Sequence, residues 1–204
     1  MNLYTFILLG RSGCGKGTQA ELLQKWLQKE SPETPAFHLE VGAKFRSFIA
    51  EPSYTSSLAT AINDKGGLQP EFLAVWAWTD ELIKGLNGNE HLIVDGTPRK
   101  LDEAMVFDKA LDFYGRTSGG NKPFVINLDV SRDWSRKHLL ARHRADDNSA
   151  EIEARLDWYD KEVVPAIAFF KKNPRYHYIE VDGSRSIEQV HADILTLAGL
   201  SGQR

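Results

Sequence analysis

The run Gly10-Arg11-Ser12-Gly13-Cys14-Gly15-Lys16-Gly17-Thr18 constrains this chain more than any other stretch. It follows Tyr4-Thr5-Phe6-Ile7-Leu8-Leu9, a short apolar run of strand formers. It precedes Gln19-Ala20-Glu21-Leu22-Leu23-Gln24-Lys25-Trp26-Leu27, whose apolar spacing is that of an amphipathic helix. Strand, glycine loop and helix in that order form the setting of a phosphate-binding loop. Glycines let the backbone turn tightly and aim several N–H groups at phosphate oxygens. The helix N-terminus adds a partial positive charge, and Lys16 a mobile point charge. The hydroxyl that generally follows the lysine comes one place later, at Thr18. Cys14 reads as a small residue tolerated in the loop, with no His or Asp nearby in sequence to make it a nucleophile.

The remaining chain alternates strands with helices. Buried strands are expected at Pro35–Leu39, His91–Asp95, Phe124–Val130 and Tyr176–Val181, and helices at Glu71–Leu86, Leu101–Phe113, Ser131–Arg144, Ser149–Lys172 and Ile187–Leu197. This rhythm predicts an α/β fold, a parallel sheet with helices on both faces as a three-layer sandwich. Ligands in such folds bind beyond the carboxyl ends of the strands, where Gly10 and Asp95 fall. Trp76 and Trp78 sit two apart on one expected helix and face different sides, a packing role rather than base stacking.

At 204 residues one domain is expected. A net charge of −3 argues against a dedicated nucleic-acid binder. The single cysteine excludes an intramolecular disulfide and a multi-cysteine zinc site. No run is long and apolar enough for a membrane span, so a cytoplasmic monomer without membrane or nucleic-acid partner is the expectation.

Asp95-Gly96-Thr97-Pro98-Arg99 is the second constellation. An acid at a strand end can hold Mg²⁺, directly or through water, opposite the glycine loop, with Thr18 as the other ligand. An arginine on a stiff turn suits a second phosphate. Asp-Gly is also an ordinary turn signal.

With these residues in place, the chain resembles the adenylate kinase family of P-loop nucleoside monophosphate kinases, from Leu8 to Leu195. The resemblance implies transfer of the γ-phosphoryl group of ATP to a monophosphate, AMP foremost, with Mg²⁺. It implies a core of residues 1–39, 71–140 and 149–204, an inserted acceptor-binding lobe at about 40–70, and a short lid at about 141–148. It assigns Lys16, Arg99, Arg142, Arg144 and Arg155 to charge neutralisation in catalysis. The ATP side is Arg11, Ser12, Gly13, Cys14, Gly15, Lys16, Gly17 and Thr18 with His138 and Ser184. The acceptor side is Val41, Gly42, Arg46, Leu68, Gly96, Arg99 and Glu103. Asp146 and Asp147 orient lid arginines or cap the next helix.

The chain departs from the family pattern at Val41, at Glu103, in the lid and at His138. Val41 replaces a hydroxyl-bearing residue, and Glu103 replaces a glutamine that reads the acceptor base. A carboxylate only accepts hydrogen bonds, which suits the two donors of a guanine edge; alternatively Glu103 is a solvated helix residue in another register. The lid is clipped to His143 between Arg142 and Arg144, and His138 stands where a base-stacking arginine is usual. Two alternatives therefore stay open: the same reaction on GMP or another monophosphate, and an ATP-binding switch or assembly factor with weak turnover.

Overall fold

The computed structural model describes residues 3–118, 122–142 and 149–201, with Arg142 described by its backbone alone. Residues 143–148 of the expected lid, with Arg144, Asp146 and Asp147, lie outside the described residues. Five parallel strands, β1 (Thr5–Gly10), β2 (Ala36–Glu40), β3 (His91–Asp95), β4 (Phe124–Asp129) and β5 (His177–Asp182), form one sheet in the order β2-β3-β1-β4-β5. The chain fills one side of β1 first and then crosses to the other. That reversal leaves a crevice at the carboxyl end of the central strand.

β1 shows why the sheet is covered on both faces. Phe6 and Leu8 point into one core, with Leu23 and Leu27 of α1 (Lys16–Glu30) and Val190 and Ile194 of α9 (Ile187–Leu197). Ile7 and Leu9 point into the other, with Trp78 of α4 (Glu71–Gly85), Phe107 of α5 (Leu101–Phe113) and Phe170 of α8 (Val164–Lys172). Successive strand residues face opposite sides, so a strand buried on both reads as unbroken apolar sequence. Trp78 packs edge-on against Phe107 at 5.2 Å, whereas Trp76 is partly exposed beside Phe48, as their spacing predicted.

The α5 and α9 boundaries and β3 match the sequence reading. β2 and β5 begin one residue later than expected, and α6 (Arg132–Arg142) is shorter than Ser131–Arg144 over the described residues. The long helix expected over Ser149–Lys172 is interrupted. It runs as α7 (Ser149–Trp158), a π-helical turn (Tyr159–Val163) and then α8. Pro165 at the start of α8 supplies the reason. It has no N–H for the carbonyl of Lys161, and its ring crowds that carbonyl, so the preceding turn widens.

Residues 40–70 carry two helices the sequence reading passed over, α2 (Val41–Ala50) and α3 (Tyr54–Asn63). α3 opens on a reciprocal cap in which Ser53 Oγ accepts from the Ser56 amide and Ser56 Oγ accepts from the Ser53 amide. α2 carries an apolar stripe of Val41, Phe45, Phe48 and Ile49 at helical spacing, of which Val41 is fully buried, and α3 fully buries Ser56 and Ala59.

Candidate active site

The parallel register brings the strand ends together. Asp95 pairs with Leu8 on one side and with Glu40 on the other, and Gly10 pairs with Leu128. The chain must then leave β1 in a tight turn. Gly10 has φ +136°, and a Cβ there would stand 2.5 Å from the Leu128 carbonyl oxygen, so no other residue fits. α1 starts at Lys16 behind Gly15, with no side-chain cap and no acidic residue in its first turn. Its leading amides are thus left to a ligand, and the helix dipole favours an anion there.

The Lys16 ammonium lies back over the loop. It donates to the carbonyls of Gly10 at 2.9 Å and Arg11 at 2.8 Å and approaches Cys14 Sγ at 3.6 Å. Burial pushes the Cys14 thiol pKa up, against the opposing pull of Lys16. A thiol so held stays protonated at neutral pH and is a poor nucleophile.

Above the loop lies a cleft of about 560 Å³. Its lining includes Ser12, Gly13, Gly15, Lys16, Gly17 and Thr18 from the loop and α1. Asp95 at the end of β3, Gly96 and Arg99 on the turn after it, and Glu103 in α5 form another side. Val41, Gly42, Arg46 and Leu68 line it from the α2–α3 segment, and Arg155 from α7. Among the described residues, four of the sequence assignment stand outside this lining. Arg11 turns away, donating to Asp160 Oδ1 at 2.6 Å and lying 4.3 Å over the Tyr159 ring in the π turn. Cys14 is tucked into the core beneath the loop. The His138 ring stacks on Trp134 one turn earlier, at 3.5 Å between centroids. Ser184 closes an Asx turn, donating from both N and Oγ to Asp182 Oδ1.

Arg99 is braced by its Nε–H, donated to the Gly96 carbonyl at 2.8 Å. Burial pulls its pKa down; Glu103 and Asp95 pull it back up, and Arg155 adds to the lowering. The guanidinium stays charged near neutral pH. Arg99 and Arg155 border one cleft and together suit a polyanionic ligand.

Glu103 lines the cleft but is not solvated. It is 3% exposed. Its Oε2 accepts from the amides of Arg99 at 2.7 Å and Lys100 at 3.4 Å, and its Oε1 accepts from Thr97 Oγ1. This rules out the alternative of a solvated helix residue. The carboxylate caps α5 and ties down the turn that carries Arg99. An acid three residues into α5, after Lys100 at its N-cap, was the available signal. The sequence reading also missed Trp158 and His38, both on the cleft lining. Nothing in their spacing along the chain marks them, since α7 and β2 reach the cleft only through the tertiary fold.

A parallel α/β sheet, a glycine loop capped by Lys16 and a cleft that gathers arginines from three separate segments define a P-loop phosphotransferase. Comparison with known proteins narrows the class. The sequence profile of the adenylate kinase family matches residues 8–175. The chain is 34% identical over 185 residues to adenylate kinase of Trichodesmium erythraeum, covering 90% of this chain and 92% of that one. It is 30% identical over 188 residues to adenylate kinase 1 of Synechocystis, covering 92% and 93%. It is 31% identical over 193 residues to adenylate kinase of Corynebacterium diphtheriae, covering 95% and 98%. The chain belongs to the adenylate kinase family. No helix among the described residues is long and apolar enough to cross a membrane.

Proposed function

We infer that the chain transfers the γ-phosphoryl group of ATP to AMP, giving two ADP. One observation carries this reading: Lys16 with the amides of α1, Arg46 with the α2–α3 segment, and Arg99 and Arg155 all border one cleft. Phosphoryl transfer needs positioning and neutralisation of charge rather than covalent help. The acceptor phosphate oxygen is already ionised, so no general base is required. ATP phosphates lie on the glycine loop, with Lys16 leaving the Gly10 and Arg11 carbonyls for better acceptors. The segment at about 40–70 holds the monophosphate, and the lid at about 141–148, with Arg142 and Arg144, covers the donor.

Thr18 and Asp95 suit Mg²⁺. A Cβ on Gly17 would stand 3.5 Å from Asp95 Oδ2, so the carboxylate lies against the first turn of α1 beside Thr18. Among the described residues no three or more His, Cys, Asp or Glu side chains gather as a metal cage. An oxygen pair that leaves most positions to water and phosphate is how Mg²⁺ is usually held. When bound there, it neutralises charge on the phosphate oxygens.

Glu103 Oε1 takes one donor, from Thr97, and keeps capacity for another, such as the adenine amino group. The same acceptor-only chemistry favours the two donors of guanine, which keeps GMP as the second reading. A coupled assay with Mg²⁺-ATP against AMP, GMP, CMP, UMP and dTMP decides. AMP is expected to turn over fastest; preference for GMP moves specificity to Glu103 and Val41, and no transfer with tight ATP binding points to a switch. The reading takes the protein as a cytoplasmic monomer, the mass of which light scattering checks.

A further inference from the structure

Gly66, at the end of the α2–α3 segment, meets α7 directly. Its carbonyl accepts a hydrogen bond from the Trp158 indole Nε1–H at 2.8 Å. On its other side the backbone lies flat against α7: a Cβ at Gly66, where φ is +64°, would come within 2.6 Å of the Glu151 carbonyl oxygen. The turn is held to the end of α3 by the Gly66 amide on the Asn63 carbonyl and the Gly67 amide on the Ile62 carbonyl. A pull on Gly66 is therefore a pull on α3.

The indole does a second thing. The Arg99 guanidinium lies 5.6 Å from its ring centroid, within cation–π range. Arg155 is on the same helix, three residues before Trp158, and lines the same cleft. So one side chain touches the α2–α3 segment, one arginine of the cleft, and the helix that carries another.

The α2 end of the segment is anchored by Phe45 on the apolar core, Phe48 on Trp76 and Lys44 on Asp80 and Glu81, whereas Gly66 lies at its other end. The two helices fully bury only Val41, Ser56 and Ala59. A single directed hydrogen bond is then a large share of what keeps the Gly66 end against α7.

We propose that Trp158 is a positioning residue that couples closure of the α2–α3 segment to the placement of Arg99 and Arg155. The proposal rests on the reading of that segment as the acceptor lobe. Docking of the segment on Trp158 fixes α7, and α7 presents Arg155 while the indole face backs Arg99. Acceptor binding and the assembly of the charge clamp thereby become one event.

Trp158→Phe removes the N–H and keeps a ring for Arg99. Gly66→Ala puts a methyl group where the Glu151 carbonyl stands, attacking the same contact from the other side. Hydrogen exchange of residues 54–67 and steady-state kinetics are measured on both, in the full chain. In Trp158→Phe we expect exchange in 54–67 to rise about fivefold, in line with one lost hydrogen bond. The acceptor KM should rise by a similar factor, with the ATP KM unchanged. Gly66→Ala should move both in the same direction and further. Unchanged exchange in 54–67 for Trp158→Phe overturns the proposal whatever the kinetics. Faster exchange with an unchanged acceptor KM also overturns it, because the contact is then structural only. The exchange measurement uses no nucleotide. Failure of the acceptor assignment shows separately, as a wild-type protein that transfers to no monophosphate.

Discussion

β1 and β3, which carry the glycine loop and Asp95, bury every residue except their last. α2, across the cleft from them, buries Val41 alone. The strands sit in two apolar cores at once, and their ends cannot move without disturbing both. The α2–α3 segment is held by the partly buried Phe45 and Phe48 and by polar links. Lys44 lies between Asp80 at 2.6 Å and Glu81 at 2.8 Å on α4, and Gly66 rests on Trp158. The difference teaches how a phosphotransferase of this kind divides its labour. The glycine loop and Asp95 are fixed by strands buried on both faces, while the wall opposite, which carries Arg46, buries less and is easier to move.

The sharpest attempt to break this comparison is Arg99→Ala. If the strand-end side is the pre-organised half, the loss should fall on turnover. A drop in kcat of about 100-fold or more, roughly 3 kcal/mol, is expected, with ATP binding retained by calorimetry. Unchanged transfer would remove Arg99 from the charge clamp.

Glu103→Gln comes next. The variant keeps the shape but offers one acceptor oxygen to the donors of Thr97, Arg99 and Lys100, and turns an amide NH₂ toward buried donors. Loss of about 1–3 kcal/mol of stability is expected in denaturant titration. A stability equal to wild type would mean the cap is dispensable and would return Glu103 to base reading alone.

On the other wall the effects should be small. Lys44→Ala removes a partly exposed pair and should shift the melting temperature by no more than about 3 °C. The same pair has a defined pH window. Hydrogen bonds from Lys44 and Lys84 hold the Asp80 carboxyl below its ordinary value of 3.8. Its contribution is present above 3.8 and is lost as pH falls through the lower folded value. Hydrogen bonds to Asp80 and Glu81 hold Lys44 above its ordinary value of 10.5. That contribution is present below 10.5 and is lost as pH rises through the higher folded value. Between these limits the difference in stability between wild type and Lys44→Ala should be flat in a pH series. A marked change near neutral pH would show that another group governs the segment.

How much of this was legible beforehand follows the same division. The glycine loop and the Asp95–Arg99 turn are two separate local motifs, each directly after an unbroken apolar run, so local pattern placed each at a strand end. Pro165 likewise stood in plain view inside a helical pattern, although its consequence, a π turn that presents Tyr159 and Asp160 to Arg11, needed the neighbours in place. α2 was legible as well, in the helical spacing of Val41, Phe45, Phe48 and Ile49, although the sequence reading passed over it.

By itself, then, the sequence determined the parallel α/β fold, the phosphate-binding loop and the family to which the chain belongs, because each is written in residues close along the chain. Tertiary structure alone decided that Glu103 faces inward as a helix cap, that Arg11 leaves the cleft for the π turn, and that Trp158 reaches Gly66 across 92 positions. Those outcomes depend on which partners the packed strands and helices bring within hydrogen-bonding distance, and no local pattern encodes a distance between remote residues.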